Sequence, residues 1–372
     1  MANTVGIRGY DFVEFFVGSG KMTAYWHMRA MGFEAKAYMG PETGCRDRNS
    51  YLLTKNNLKF VITTSCDPGT HEITSFLERH GDGVKRWGFE VDDVTKAFQF
   101  AREHGAIPVH RPYKIEDENG YVEKAAIRIY DDAEIVFVNY DNYKGLFQPG
   151  FKEPVQKMEI SSQDTGLNNI DHIVGNVRED EMNFWESYFN KALDFETIIH
   201  FGPGDISTKY SALLSKVVRS KDDVIKNPIN EPYEGVRKSQ IEEYIEQFHG
   251  TGVQHIAIAT PDIIKSIRAM RANGVEFLSV PKTYYDALRE KNKESGLIEE
   301  NIDDLEELGI LCDVERGGTG YLLQLFTKPI SDRPTFFYEI IQRKHGAIGF
   351  GQGNFQALFE SIERDQEKRG NL

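Results

Sequence analysis

The amino-acid sequence predicts an α+β fold of two domains, each built from two βαβββ units whose curved mixed sheets enclose the site, plus a C-terminal helix. Three observations lead to this prediction. A pattern of one strand, one helix and further strands recurs four times along 372 residues. A polar, aperiodic stretch with two prolines, around residues 149–168, interrupts it. The closing pair of strands carries Glu339 on an otherwise apolar face.

The length of the chain also favours two domains, because it exceeds what a single hydrophobic core usually supports. The polar stretch around residues 149–168 indicates where the first domain ends and the second begins. We expect an N-terminal domain at residues 1–150, a linker at 151–168 and a C-terminal catalytic domain at 169–372.

Composition narrows the class of partner. The formal net charge is −14, which argues against nucleic acid and anionic membranes and favours a small organic substrate. Cys45, Cys66 and Cys312 show no CxxC spacing, so neither a disulfide framework nor a zinc site is expected. The sequence contains no basic and apolar leader at its start and no apolar run of eighteen residues, which predicts a soluble protein of the reducing cytoplasm.

The N-terminal domain is predicted to contain two copies of the unit. The first helix has apolar residues at helical spacing and ends near Gly32, and the second begins with an aspartate cap and ends at a glycine. In chain order, the predicted strand, helix and three strands of these units span residues 8–18, 21–33, 36–39, 50–55 and 57–63, then 84–91, 92–105, 107–115, 122–130 and 134–140.

The C-terminal domain repeats this order. β-branched and aromatic residues mark its strands, and a period of 3.6 residues marks its helices. The third unit is predicted to comprise a strand at 167–177, a helix at 179–195 and strands at 196–201 and 210–220. The fourth comprises a strand at 252–260, a helix at 261–274 and strands at 276–281, 321–326 and 335–341.

Comparing the units singles out two histidines. Residues 83–112 align with residues 252–281 without a gap, so that Arg86 corresponds to His255. Aligning the first and third units likewise places Phe12 on His172. The N-terminal domain has thus lost both imidazoles, and with Val138 or Asn139 near the third position it is expected to bind no metal.

His172, His255 and Glu339 lie on three strands of one domain. Two histidines and one carboxylate that bind one face of a metal are the facial triad of non-haem Fe(II) oxygenases, which accept a chelating substrate together with O₂. Taken singly, a strand histidine is usually a core or surface residue, and Glu339 could instead pair with Arg343. Equivalent positions in repeated units favour the metal. His200, His249 and His345 lack such partners and are interpreted as ordinary residues.

Several motifs carry a family resemblance, among them GVQHIA, NEPYEGVRKSQIEEYI, GYLLQLFTKP, DRPTFFYEIIQR and GFGQGNFQALFESIE. With these motifs the chain resembles the 4-hydroxyphenylpyruvate dioxygenase family of the vicinal-oxygen-chelate (glyoxalase-like) superfamily over nearly its whole length. The resemblance implies one Fe(II) per chain and conversion of 4-hydroxyphenylpyruvate and O₂ to homogentisate and CO₂ in tyrosine and phenylalanine catabolism. It further implies a homo-oligomer, either a dimer or a tetramer.

The same resemblance implies the residues of the site. The iron ligands would be the two histidines and the glutamate named above. Uncharged polar groups could bond the phenol and the keto acid, and phenylalanines could form a slot for the ring. The alternative for the glutamines is ordinary hydrogen bonding on a strand. The implied catalytic residues are Ser215, Asn230, Gln240, Gln254 and Gln324, and the implied substrate-binding residues are Pro228, Phe326, Phe350 and Phe355.

The C-terminal segment is predicted to form a helix with Asn354 as its N-cap and a stop at residues 368–370. One apolar stripe runs along it, formed by Phe355, Leu358, Phe359 and Ile362. The helix could simply pack on the sheet. The resemblance implies in addition that it is a lid over the iron pocket.

Three alternative functions remain open on the sequence. 4-Hydroxymandelate synthase uses the same substrate and iron site but hydroxylates the benzylic carbon, and Phe355 favours ring hydroxylation because the related synthase usually has a smaller aliphatic residue there. A metal-free binding protein could use the same scaffold. An extradiol ring-cleaving dioxygenase shares the triad, but its usual second-sphere histidine and tyrosine have no clear counterpart.

Overall fold

The structure is a computed structural model that describes residues 4–154, 158, 160–202, 212–233, 235, 237–315, 317–318 and 320–370. Residues 155–157 and 159 of the predicted linker, and residues 210–211 of one predicted strand, lie outside the described residues. So do residues 234 and 236 of one family motif and the last two residues of the chain.

The first half of the chain forms one eight-stranded mixed sheet, in the order β2-β3-β4-β1-β5-β8-β7-β6. Its strands are β1 (Ile7–Phe16), β2 (Glu34–Met39), β3 (Arg48–Lys55), β4 (Leu58–Ser65), β5 (Gly83–Val91), β6 (Pro108–Asp117), β7 (Gly120–Ile129) and β8 (Ala133–Asn139). Its helices are α1 (Gly20–Met31), α2 (His71–His80) and α3 (Val94–Glu103).

The second half forms another eight-stranded sheet, in the matching order β10-β11-β12-β9-β13-β16-β15-β14. Its strands are β9 (Asn169–Asn176), β10 (Phe195–Phe201), β11 (Ala212–Ser220), β12 (Lys226–Tyr233), β13 (Gly252–Ala259), β14 (Leu311–Val314), β15 (Tyr321–Phe326) and β16 (Phe337–Lys344). Its helices are α4 (Met182–Ala192), α5 (Gln240–Phe248), α6 (Ile263–Asn273), α7 (Lys282–Ser295), α8 (Ile302–Leu308) and α9 (Phe355–Arg369).

The predicted fold class is confirmed. In both sheets the opening strands of two βαβββ units pair antiparallel at the centre, and each is flanked by the parallel closing strand of its own unit. Sequence reasoning missed the strands β12 and β14 and the helices α2, α5, α7 and α8. The division at residues 150 and 169 stays a prediction.

The predicted strand at residues 276–281 is wrong. Only Phe277 pairs there, in an isolated bridge to Thr327. The chain then enters α7, with Pro281 at its N-cap, and α8 before β14 takes the edge position of the sheet. A proline lacks the N–H that a strand ladder requires, whereas it is compatible with a helix start.

The two halves share a continuous hydrophobic core, which fixes the strand that carries Glu339. Burial lowers the pKa of His27 on α1 to about 4, so its imidazole is neutral. Its Nδ1 lies 2.8 Å from the carbonyl oxygen of Thr23 and must donate, so Nε2 accepts from the Tyr338 hydroxyl at 2.8 Å. Tyr338 precedes Glu339 on β16 and therefore points to the opposite face of the sheet.

None of the described helices combines the length with the apolar composition that crossing a bilayer requires.

Candidate metal centre and pocket

Strand register brings the three predicted ligands together around Ala257 of the central strand β13. Ala257 is the register partner of His172 on β9 and of Glu339 on β16. His255 precedes Ala257 by two residues and therefore shares its face, since side chains alternate along a strand. Three neighbouring strands thus aim three side chains at one point.

The donor atoms of these ligands converge. Nε2 of His172 lies 3.2 Å from Oε2 of Glu339, and Nε2 of His255 lies 3.3 Å from the same oxygen. One ligand atom from each residue fits within 4.8 Å of the others, and all three residues are buried. We refer to this group as the His–His–Glu cluster.

The Nδ1 atoms of both imidazoles, here called the outer nitrogens, are hydrogen-bonded to neighbouring side chains. Nδ1 of His172 lies 2.7 Å from Oδ1 of Asp171, and Nδ1 of His255 lies 2.9 Å from Oε1 of Gln254. Both oxygens accept hydrogen bonds, so each Nδ1 donates, and each Nε2, once it has given up its proton, turns a lone pair toward the space beside Glu339. Converging lone pairs repel unless a cation lies between them, so the donor set fits a divalent metal.

The charges of the cluster agree with this fit. Burial alone raises the pKa of Glu339, but the imidazoles of His172 and His255 lower it to about 2, so the carboxylate is ionised at neutral pH. Burial lowers the pKa of His255 below its usual value. For His172 burial also lowers the pKa, but the carboxylates of Glu339 and Asp171 raise it overall. An anion beside two imidazoles is a ligand set that attracts a metal cation.

A pocket opens above the cluster, and it contains most of the predicted residues. Both uncharged polar groups and aromatic rings line it. The predicted residues that line it are Ser215, Pro228, Asn230, Gln240, Gln254, Phe326, Phe350 and Phe355, with the cluster at its base. Ser215 and Asn230 are register partners on β11 and β12.

Gln324 is the exception, since it does not line this pocket. It is buried on β15, and its Nε2 has no hydrogen-bond partner among the described residues. A Cβ atom on Gly351 would lie 2.3 Å from that nitrogen, and Gly351 has a φ of +76°. Both the close approach and the left-handed backbone require glycine there.

Sequence reasoning missed several apolar wall residues of the pocket. Period-two alternation could have found four of them, because they lie two residues from a ligand or a predicted pocket residue on the same strand. The remaining one, Phe201, ends β10 and joins the pocket only in the folded sheet. The missed residues are Val174, Phe201, Leu213, Val217 and Phe337.

Arg343 is not the partner of Glu339 that the sequence left open. Its guanidinium binds Asp171 instead, with Nε and Nη2 each donating over 2.8 Å. The second layer of the cluster, Asp171 with Arg343, was not predicted.

Helix α9 covers the pocket with its apolar stripe. All four predicted stripe residues face the cavity, and Phe355 packs edge-on against Phe201 with ring centroids 5.0 Å apart. Asn354 occupies the N-cap position, but its side chain makes no cap and accepts from the Tyr284 hydroxyl at 2.7 Å. The predicted stop is confirmed, with Gly370 left-handed at the C-cap. We refer to α9 as the lid.

An ion pair fastens the far end of the lid. Nη2 of Arg369 lies 3.0 and 2.8 Å from the two carboxylate oxygens of Glu243 on α5. The Glu243 side chain is 5% exposed and that of Arg369 is 27% exposed. The first residue of α5, Gln240, lines the pocket, so this contact joins the lid to a pocket wall.

Changing Arg369 to alanine is expected to loosen the lid. A charged hydrogen-bonded pair contributes about 1.5–3 kcal/mol when buried, and partial exposure reduces this to about 1 kcal/mol. Lid opening should then rise about fivefold, measured as faster amide exchange along α9. The Lys368→Ala variant removes the exposed neighbouring charge and serves as the control. Equal exchange in the two variants would contradict this role for Arg369.

In the N-terminal half, apolar residues occupy two of the three positions that correspond to the cluster, and Arg86 occupies the third. Because Arg86 corresponds to His255, and Arg86 pairs with Glu134 as His255 pairs with Phe337, the counterpart of Glu339 is Val136. The prediction of Val138 or Asn139 was therefore wrong. Phe12 and Val136 belong to one buried apolar cluster with Phe147.

The repeat extends beyond the strands. Phe147 follows Val136 by the same spacing as Phe350 follows Glu339. Its ring packs edge-on against Phe12 at 5.7 Å, as the ring of Phe350 packs edge-on against His172 at 5.2 Å. Each half thus closes its sheet with a phenylalanine over the first ligand position.

Comparison with known proteins agrees with this architecture. Residues 1–152 match the family model described as hydroxyphenylpyruvate dioxygenase, N-terminal, and residues 169–306 match that of the glyoxalase/bleomycin resistance protein/dioxygenase superfamily. A 4-hydroxyphenylpyruvate dioxygenase of Aspergillus fumigatus is 44% identical, with 98% of this chain and 94% of the relative covered. One of Dictyostelium discoideum is 43% identical, with 98% and 100% covered. The chain belongs to the 4-hydroxyphenylpyruvate dioxygenase family.

A solved structure of a protein with another enzyme name has the same architecture. It is a mutant of 4-hydroxymandelate synthase from Streptomyces coelicolor, with 27% identity to this chain, a TM-score of 0.85, and 97% of this chain and 99% of that chain covered. The two 4-hydroxyphenylpyruvate dioxygenases named above, at 44% and 43% identity, are more similar to this chain in sequence than the synthase mutant is.

Proposed function

We propose that the protein is an Fe(II)-dependent dioxygenase that converts 4-hydroxyphenylpyruvate and O₂ to homogentisate and CO₂ in tyrosine and phenylalanine catabolism. One Fe(II) per chain would be held by His172, His255 and Glu339. The observation that carries the proposal is the buried His–His–Glu cluster at the base of an aromatic-lined pocket. Membership of the 4-hydroxyphenylpyruvate dioxygenase family supports the choice of substrate.

The ligand geometry suits this chemistry. Three protein ligands approach from one side, since all three side chains project from the same sheet face. When bound, the iron supplies open positions where a chelating keto acid and O₂ can meet.

The pocket walls suit the substrate. The rings of Phe326, Phe350 and Phe355 offer an apolar slot for the substrate ring. Polar side chains can bond the phenol and the keto acid without adding charge. These are Ser215, Asn230, Gln240 and Gln254. For Gln324, which lies outside the pocket wall, we propose contact with the backbone at Gly351, in the segment that leads into the lid.

Homogentisate and 4-hydroxymandelate are the two products to be distinguished. The fold is common to this chain and to the solved synthase mutant. We propose that Phe355, packed against Phe201, holds the substrate ring toward the site of oxidation. Changing Phe355 to leucine is therefore expected to raise the 4-hydroxymandelate fraction, whereas Phe355→Tyr keeps the ring and should retain homogentisate. Chromatography of the products measures the ratio.

Anaerobic reconstitution with Fe(II), followed by O₂ uptake with 4-hydroxyphenylpyruvate, tests the activity. We expect one homogentisate and one CO₂ for each O₂ consumed. No uptake by folded, iron-loaded protein would refute the function, and 4-hydroxymandelate as the main product would favour the synthase. A homo-oligomer and a cytoplasmic location stay predictions.

A further inference from the structure

The two ligand histidines differ in what holds their outer nitrogens. His255 donates to a neutral amide, Gln254, whereas His172 donates to a carboxylate, Asp171. The Asp171 side chain is only 10% exposed. An amide oxygen would suffice to fix the tautomer of His172, and burying a carboxylate costs free energy unless it is paired. The charge of Asp171 therefore calls for a further partner.

Arg343 is that partner, and it reaches in two directions. Toward the cluster, it binds both oxygens of Asp171 over 2.8 Å each. On the side away from the cluster, Nη1 of Arg343 donates to the carbonyl oxygen of Gly349 at 2.6 Å. Its guanidinium also lies 5.5 Å from the ring centroid of Phe350. We refer to residues 347–350, which lead from β16 into the lid, as the lid base.

The lid base is held from a second side. The backbone N–H groups of Ile348 and Gly349 both donate to Oε1 of Glu315, at 2.6 and 2.5 Å. Arg343 thus binds a carbonyl of the lid base while Glu315 binds its amides. Opposite charges thus bind the lid base and favour a single position for it. Of the two charged residues, Arg343 also connects through Asp171 to His172, a ligand of the cluster.

We propose that Asp171 and Arg343 are a positioning pair that couples docking of the lid base to the orientation of His172. When residues 347–350 are docked, Arg343 holds Asp171, and Asp171 holds the His172 ring with Nε2 toward Glu339. Phe350 completes the arrangement, because its ring packs edge-on against His172. When the lid base leaves, Arg343 loses the Gly349 contact and His172 loses part of its support.

Coupling of this kind is reciprocal. If docking of the lid base favours metal binding, metal binding must favour docking by the same factor. The consequence for turnover rests on the proposed function, but the coupling itself is measurable without substrate or O₂. Co(II), a spectroscopic substitute for the iron, serves as the probe.

The test compares the wild-type protein with the Arg343→Met variant, which keeps the length of the side chain but lacks its donors. In the wild type, Co(II) should slow amide exchange at Ile348 and Gly349 at least threefold. In Arg343→Met, Co(II) affinity should fall about 10-fold, within the 10–100-fold typical of second-layer changes. Co(II) should then no longer slow exchange at the lid base.

Two further variants keep the test decisive. Arg178→Met removes another arginine bonded to an aspartate, Asp131, and should leave affinity and exchange unchanged. Arg343→Lys keeps the charge, but a single ammonium lacks the planar fork that reaches Asp171 and Gly349 together. It should show the same loss of coupling, and it answers the question if Arg343→Met does not fold.

The proposal is overturned if Co(II) leaves exchange at the lid base unchanged in the wild type. It is equally overturned if both Arg343 variants bind Co(II) as tightly as the wild type. Failure of the proposed function gives a different result. In that case the protein takes up no O₂ with 4-hydroxyphenylpyruvate, but Co(II) still slows amide exchange at the lid base.

Discussion

Replacing Glu339 with alanine is expected to abolish metal binding and turnover together. The carboxylate is the only anionic member of the His–His–Glu cluster, and its Oε2 lies within 3.3 Å of both imidazole Nε2 atoms. Two neutral imidazoles alone neither balance the charge of a divalent ion nor complete three ligands. Since second-layer changes already cost 10–100-fold, loss of this ligand should cost more than about 100-fold in affinity.

Iron per chain and O₂ uptake with 4-hydroxyphenylpyruvate measure this prediction. The matched control is Glu231→Gln, because Glu231 is another buried glutamate of the second sheet and accepts from the backbone N–H of Met182 at 2.9 Å. That variant should keep its iron even if it is less stable. Unchanged iron occupancy in the Glu339 variant would rule the carboxylate out as a ligand.

The convergence of the three ligands could be predicted from sequence because it depends on local rules. Strands of one sheet alternate with period two, and the units align without gaps, so His172 and His255 had to occupy equivalent positions on neighbouring central strands. Glu339 was recognisable as a buried charge that needed a cation. The fold class followed from the same repeat.

Register between distant segments could not be predicted in this way. The counterpart of Glu339 is Val136 because of how β5 and β8 pair, and strand pairing across a long connection leaves no local signal. Gln324 shares a face with Phe326, yet its amide lies against Gly351 and does not line the pocket. The contact between Asp171 and Arg343 joins residues that are 172 positions apart.

Ending the chain after Gly349 is expected to remove productive turnover while the cluster still binds iron. The truncation deletes Phe350 and the lid, but β9, β13 and β16, which carry the ligands, remain. The lid residue Phe359 is 2% exposed, so its removal uncovers the apolar pocket surface that it packs against. The pocket wall would then open to water.

Water in the pocket weakens the electrostatic contacts to the substrate and allows side reactions of activated oxygen. The readout is therefore a ratio rather than a rate: homogentisate formed for each O₂ consumed should fall well below one. The full-length Phe355→Ala/Phe359→Ala variant keeps the helix but empties its stripe, and it should show a smaller fall in the same ratio. A truncated protein that couples O₂ fully to homogentisate would show that α9 only packs on the sheet and excludes no water from the reaction.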